Sequence, residues 1–113
     1  MNYVPRRGDV VWLTFDPPAG HEQAGRRPVF VHSPEAYNRK TSLLLACPVT
    51  SKVTGYPFEV SLPAGLPVSG VILADQIKSL DWKVRKAEHA GETSDAVIED
   101  LLAHVLPLIG EEG

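Results

Sequence analysis

Cysteine is nearly missing from this chain. Cys47 is the single one among 113 residues, so no internal disulfide can form and no zinc site can be built from thiolates alone. Long apolar runs are missing as well. The stretches around Leu43–Cys47 and Val105–Ile109 fall far short of the ~18 residues a membrane-spanning helix needs. The opening segment, Met1-Asn2-Tyr3-Val4-Pro5-Arg6-Arg7, has no apolar core behind it, so no secretory signal and a cytoplasmic chain are expected. His21, His32, His89 and His104 show no ligand spacing. His21 and Glu22 are neighbours that point to opposite sides in extended backbone, a poor geometry for one ion. No metal and no cofactor are expected. There is no Gly-x-Ser-x-Gly elbow, and Gly20 and Gly25 lack the spacing of a phosphate-cradling loop. Cys47, inside an apolar run, reads as a buried, inert thiol.

What is present is an ordinary globular composition, 43% hydrophobic and 22% charged, which excludes wholesale disorder and coiled coil. The chain is short against the ~100–200 residues usual for one domain, so residues 1–113 are read as a single domain. Its core is modest, and dimerisation is a natural way to bury more surface. The net charge of −3 is unevenly spread: all 11 Lys and Arg fall in residues 1–87, and none in 88–113. A polyanion can be tolerated on the first part, while the acidic end fits equally an ordinary solvated helix. Nothing matches the strongly basic footprint of a protein that grips duplex DNA through its phosphates.

Nine of the ten prolines and six of the nine glycines cut the first 90 residues into short pieces, favouring strands and turns. Strands are predicted at Asp9–Asp16, Pro28–Ser33, Leu43–Val49, Phe58–Leu62, Val71–Ala74 and Ile77–Trp82, with a seventh at Val84–His89. This spacing suggests a small antiparallel barrel or sandwich. Only the end reads as helical. Ser94 is placed to cap, Val97, Ile98, Leu101, Leu102 and Val105 form one apolar stripe, and Pro107 should kink or end the helix within a turn.

The long loop from Pro17 to Arg27 is the most informative segment. Pro28 restricts Arg27 to extended backbone at the loop–strand junction, which suits a residue held for bidentate phosphate contact, although an arginine on an edge turn is commonly just solvated. Thr50, Ser51 and Lys52 follow the third strand, so hydroxyls, a lysine and an arginine on adjacent strand ends could line a phosphodiester groove. Phe15, at a strand end, is either a base-stacking residue or plain core.

At these residues the chain resembles the MazF/PemK family of toxin endoribonucleases. The resemblance begins with Gly8-Asp9-Val10-Val11-Trp12 and Phe15-Asp16-Pro17. It continues through Gly20-x-Glu22-Gln23-Ala24-Gly25-x-Arg27-Pro28 and Ser33-Pro34-x-x-Tyr37-Asn38. Pro48-Val49-Thr50-Ser51, Gly55-Tyr56-Pro57-Phe58-Glu59-Val60 and Ala74-Asp75-Gln76-Ile77-Lys78-Ser79 complete it. His21 and Arg26 occupy variable spots, and Pro63–Ser69 departs from the pattern.

The resemblance implies a mainly β fold, an SH3-like small antiparallel barrel with a C-terminal α-helix, assembled as a homodimer. It implies metal-independent cleavage of single-stranded RNA (mRNA) at short motifs, ACA-containing in close relatives, leaving 2′,3′-cyclic phosphate and 5′-OH ends. It also implies a cognate MazE-like antitoxin as partner, with no membrane and no duplex DNA. Arg27 matches the family's catalytic arginine and Thr50 its catalytic threonine. Because arginine is a poor base, Arg27 is assigned to stabilising the phosphorane, with protonation of the 5′ leaving oxygen as a further role, and Thr50 to hydrogen-bonding the phosphate. Glu22 is the carboxylate at hand for a base, with reading a base edge or orienting Arg27 as its other roles. Asp75 and Gln76 carry side-chain groups that can pair with Watson–Crick edges and lie on a block the family uses for RNA, and Ser51, Lys52 and Lys78 suit contacts along the groove. Tyr3 and Trp82 are left as packing residues. The rival on the same fold is a toxin that binds and poisons DNA gyrase and cuts nothing.

Overall fold

The computed structural model describes residues 3–15 and 25–110. Among the described residues seven strands are formed: β1 (Asp9–Thr14), β2 (Arg26–Val31), β3 (Leu43–Thr50), β4 (Glu59–Ser61), β5 (Val71–Leu73), β6 (Lys78–Asp81) and β7 (Glu88–Glu92). Helix α1 (Glu35–Thr41) follows β2, and α2 (Asp95–Ile109) closes the described chain. All pairings are antiparallel, along the path β4-β5-β3-β2-β1-β7, with β6 also on β3. The hydrogen bonding does not close, because β4 and β7 end the path. The core is nevertheless barrel-like. Val10, Phe30, Val49, Val60 and Ile72, from five different strands, converge on Leu101 and Val105 of α2.

Alternation along β1 explains why this small sheet is buried on both faces. Val10 points into the cluster under α2, whereas Val11 and Leu13 join Val29, Val31, Leu44, Ala46 and Trp82 on the other side. The first six expected strands recur with ends that differ by one or two residues, the third being extended to Thr50. Ser94 stands at the N-cap of α2 as expected, accepting through its backbone carbonyl from Val97 and Ile98 rather than capping with its side chain. Leu102 remains partly exposed, so the buried stripe is narrower than its periodicity suggested. Pro107 lies inside α2, which ends two residues later at Ile109, in keeping with the N–H that proline lacks.

Three expectations are corrected. The seventh strand is not Val84–His89: residues 82–86 turn, and pairing runs from Glu88 to Glu92. Ala74 is not strand but begins a single 3₁₀ turn, Ala74–Gln76. The end is also not the only helix. Helix α1 is only seven residues long and is held by tertiary contacts rather than by its own propensity.

Asn38 is the centre of those contacts. It is fully buried, and its Nδ2 donates to the carbonyls of Pro5 (2.9 Å) and Ser33 (3.1 Å). Its Oδ1 accepts from Ser33 Oγ (2.6 Å), and its carbonyl accepts from Trp82 Nε1 (2.8 Å). This network ties the N-terminal segment, α1 and the turn after β6 together. Asn38→Ala would strand two buried carbonyls and a hydroxyl, and is expected to cost about 3 kcal/mol, measured by urea unfolding.

Candidate functional site

Two prolines open the site. Val29, Phe30 and Val31 of β2 pair with Pro48, Cys47 and Ala46 of β3, and there the ladder stops. Neither Pro28 nor Pro48 has an N–H to continue it. On its other edge β3 stays paired, Val49 with Ile72 and Thr50 with Val71 of β5. Carried two residues on, the β2–β3 register sets Arg27 opposite Thr50 across the unpaired gap. That gap is a cleft of about 360 Å³ lined by both residues together with Arg26, Ser51, Trp12 and Ser69. A second cleft of about 270 Å³ shares Arg27 and adds Phe15, Gln76 and Lys78. Among the described residues no carboxylate lines either cleft, so the local field favours an anion.

The two neighbouring arginines have different surroundings. Arg26 donates to Thr14 Oγ1 (2.6 Å) and to the carbonyls of Lys86 (2.8 Å) and Trp12 (3.3 Å), and pairs with Glu88 at 3.2 Å. Its donors are committed to joining β1, β2 and the start of β7. Arg27 is half-buried, and among the described residues nothing hydrogen-bonds or ion-pairs with its guanidinium. A planar five-donor group placed this way is free to meet a phosphate.

Thr50 is fixed by its surroundings. Its Oγ1 accepts from the Lys52 backbone N–H (3.1 Å), which leaves the hydroxyl proton available to donate. Behind it, Gly70 adopts φ +122°, and a Cβ there would lie 2.0 Å from the Thr50 carbonyl oxygen. Only glycine allows the segment entering β5 to pass so close.

Phe15 is half-buried and packs against the second core cluster, with the Arg85 guanidinium 4.7 Å from its ring centroid. It serves both as core and as cleft wall. Lys52 and Asp75 line neither cleft. Asp75 Oδ2 instead accepts from the Tyr56 hydroxyl at 3.0 Å, a bond that raises the Tyr56 phenol above its ordinary range. Glu22 lies outside the described residues. Tyr3 and Trp82 pack, as expected, although Tyr3 also donates to Asp9 Oδ2 at 2.5 Å. Cys47 is fully buried, and burial pushes its thiol up to about 12, far from a nucleophile's range. Trp12, Pro67, Val68 and Ser69 complete the wall of the first cleft and were not marked by sequence reasoning. Pro67–Ser69 reach the site through long-range packing beside the β3–β5 pairing, which leaves no local signal.

The family model described as PemK-like, MazF-like toxin of type II toxin–antitoxin system matches residues 6–109. The chain belongs to the MazF/PemK family of toxin endoribonucleases. It is 46% identical over 108 residues to the endoribonuclease toxin MazF of Escherichia coli K12, covering 96% of each chain. To the endoribonuclease PemK of Escherichia coli it is 34% identical, over 91% of this chain and 80% of PemK. Among solved structures it superposes on MazF from Deinococcus radiodurans with a TM-score of 0.88 and 55% identity, over 97% of this chain and 100% of that one. A MazE–MazF complex from the same organism matches with a TM-score of 0.89. The mainly β architecture with its C-terminal helix is thus the MazF fold. Three blocks of the MazF/PemK pattern, around Arg27-Pro28, Pro48–Ser51 and Gln76–Lys78, border the two clefts.

Proposed function

We propose that this chain is the toxin of a type II pair and cleaves single-stranded RNA at the Arg27–Thr50 cleft without a metal ion. The observation that carries the reading is the unpartnered Arg27 guanidinium set opposite Thr50 in a cleft free of described carboxylates. RNA supplies its own nucleophile, the 2′-OH, so the protein needs neither an activated serine nor a thiolate. As the 2′-oxygen bonds to phosphorus, charge builds on the non-bridging oxygens. Arg27 stabilises that charge bidentately and Thr50 donates its hydroxyl to the same phosphate. Glu22 takes the 2′-OH proton. The bond to the 5′-oxygen then breaks, leaving a 2′,3′-cyclic phosphate and, once that oxygen is protonated, a 5′-OH. Phe15, Gln76 and Lys78 hold the adjoining nucleotides in the second cleft, with Ser51 and Lys52 at the far end of β3. ACA-type motifs are the class of site proposed.

We further propose a homodimer restrained by a MazE-like antitoxin. A groove of about 310 Å³ beside α2, lined by Tyr37, Leu45, Leu102 and Ile109, leaves these apolar side chains partly exposed, a surface that a second copy covers. The net-positive segment of residues 1–87 suits an acidic antitoxin peptide that mimics the RNA backbone.

The test is cleavage of a defined single-stranded RNA by the purified chain in EDTA. Activity should persist, and replacing the ribose 5′ of the scissile phosphate with deoxyribose should abolish it. Activity lost in chelator and restored by a divalent ion would overturn the mechanism. No cleavage of any RNA, together with gyrase inhibition, would favour the non-enzymatic rival.

A further inference from the structure

The path of paired strands stays open between β4 and β7, yet one segment crosses the opening. Residues 62–70 connect β4 to β5 and are closed at the base, where the Leu62 N–H donates to the Gly70 carbonyl at 3.0 Å. Further out, the segment rests on β7. A Cβ built on Gly91 would lie 3.1 Å from Leu66 Cδ2 and 3.4 Å from Pro67 Cδ. Both side chains therefore occupy space that any other residue at 91 needs for itself. Gly91 pairs with Val10 of β1, and Leu66 packs on the same core cluster as Val10. The ladder shifts register beside this contact, since Val10 opposes Gly91 whereas Val11 opposes His89. Ala90 is the extra residue, and a bulge of this kind bends its strand locally.

From this seat the chain runs directly into the site. Pro67, Val68 and Ser69 wall the first cleft, and Val68 is buried in the core cluster. Gly70 then meets the Thr50 carbonyl. The wall is thus pinned at two ends, Gly91 under Leu66 and Pro67, and Gly70 against β3, and each pin lacks a side chain. Trp12, two residues along β1 from Val10 and on the same face, stands between them and also lines the cleft. Gly91 itself lines neither cleft, and β7 pairs with β1 alone among the described strands.

Resting on the proposed RNA cleavage, we propose that Gly91 and Leu66 are positioning residues for that reaction. Their contact sets how far the wall of Pro67–Ser69 stands from Arg27 and Thr50, and so how closely an RNA phosphate is confined between them. A side chain at position 91 lifts Leu66 and Pro67 off β7. The wall moves with them, while Arg27 and Thr50 stay on their own strands. The loss is therefore in holding the RNA and not in the reacting pair.

The experiment measures kcat and KM of the purified chain on a defined single-stranded RNA, below the melting transition of each variant. Gly91→Val should raise KM by ~10-fold with kcat little changed, the split expected when binding is lost without loss at the reacting groups. Gly91→Ala should raise it less, because Leu66 Cδ2 is the end of a flexible side chain. Leu66→Ala should also raise KM, since it empties the seat. Combining Leu66→Ala with Gly91→Val removes about the volume that is added, so the double variant should bind RNA better than either single one. Asn38→Ala, which weakens the fold away from both clefts, should melt earlier with a wild-type KM. Where Gly91→Val does not fold, Gly91→Ala and Leu66→Ala carry the test. A wild-type KM in both Gly91 variants would overturn the proposal. So would a double variant no better than Gly91→Val, or an equal rise of KM in Asn38→Ala. A wild-type chain that cuts no RNA defeats the functional reading itself, an outcome separate from all of these.

Discussion

Arg27→Ala is expected to slow RNA cleavage by ~10²-fold or more, the loss seen when one preorganised charge-stabilising donor is removed. The folded state should be unaffected, because no described residue depends on the Arg27 guanidinium for a hydrogen bond. Arg26→Ala should behave in the opposite way. Its side chain holds the carbonyls of Trp12 and Lys86 and the Thr14 hydroxyl, so its loss should lower the melting temperature while cleavage changes far less. The pair is best read together, by single-turnover kinetics and thermal melting of both variants. A matching loss of rate in the two would place the phosphate elsewhere in the cleft.

The second large effect should come from a residue that touches no substrate. Gly70→Ala forces a Cβ to 2.0 Å from the Thr50 carbonyl and 2.9 Å from the Ser51 Cα. It also strains a backbone at φ +122° that side chains rarely adopt. Neither clash can be relieved by a flexible side chain, because both partners are backbone. The strand must move, and it carries Thr50 with it. A destabilisation of about 3 kcal/mol is expected, with cleavage falling at least tenfold even where the variant remains folded. Urea unfolding and cleavage below the transition measure the two separately. A Gly70→Ala protein with wild-type activity would show that Thr50 need not be held in place.

How much of this was legible beforehand follows from range in sequence. Asp9–Thr14 was legible from its run of β-branched and aromatic residues, Leu43–Thr50 from its apolar run, and Glu59–Ser61 from the alternation in Phe58-Glu59-Val60-Ser61-Leu62, because these patterns are local. Glu88-His89-Ala90-Gly91-Glu92 carries no such pattern, so β7 exists only because β1 pairs with it. Helix α1 was hidden for the same reason: seven residues with Asn38 at the centre have little propensity, and the buried contacts of Asn38 supply what propensity does not. At the site, Arg27 was visible from the proline that follows it and Thr50 from its place at the end of the third strand, and their proposed roles came from the family resemblance. Ser69 and Gly70 were not, since their closeness to Thr50 depends on a β-ladder between segments some twenty residues apart. Asp75 was noticed for its carboxylate, but its engagement by Tyr56 is a property of folded geometry.

The two prolines that end the β2–β3 ladder have a consequence for how such an enzyme can change. They place the proposed reacting pair on strand backbone that is rigidly paired on one side, while Gln76 of the second cleft stands on a single 3₁₀ turn. Loops tolerate insertion and substitution far better than paired strands. Under the proposed reading, the preferred RNA sequence can therefore drift through the short segments 67–69 and 74–76 that border the clefts while the turnover of a correctly bound phosphate is inherited intact. Exchanging those short segments between related toxins should transplant the target site without rebuilding the catalyst.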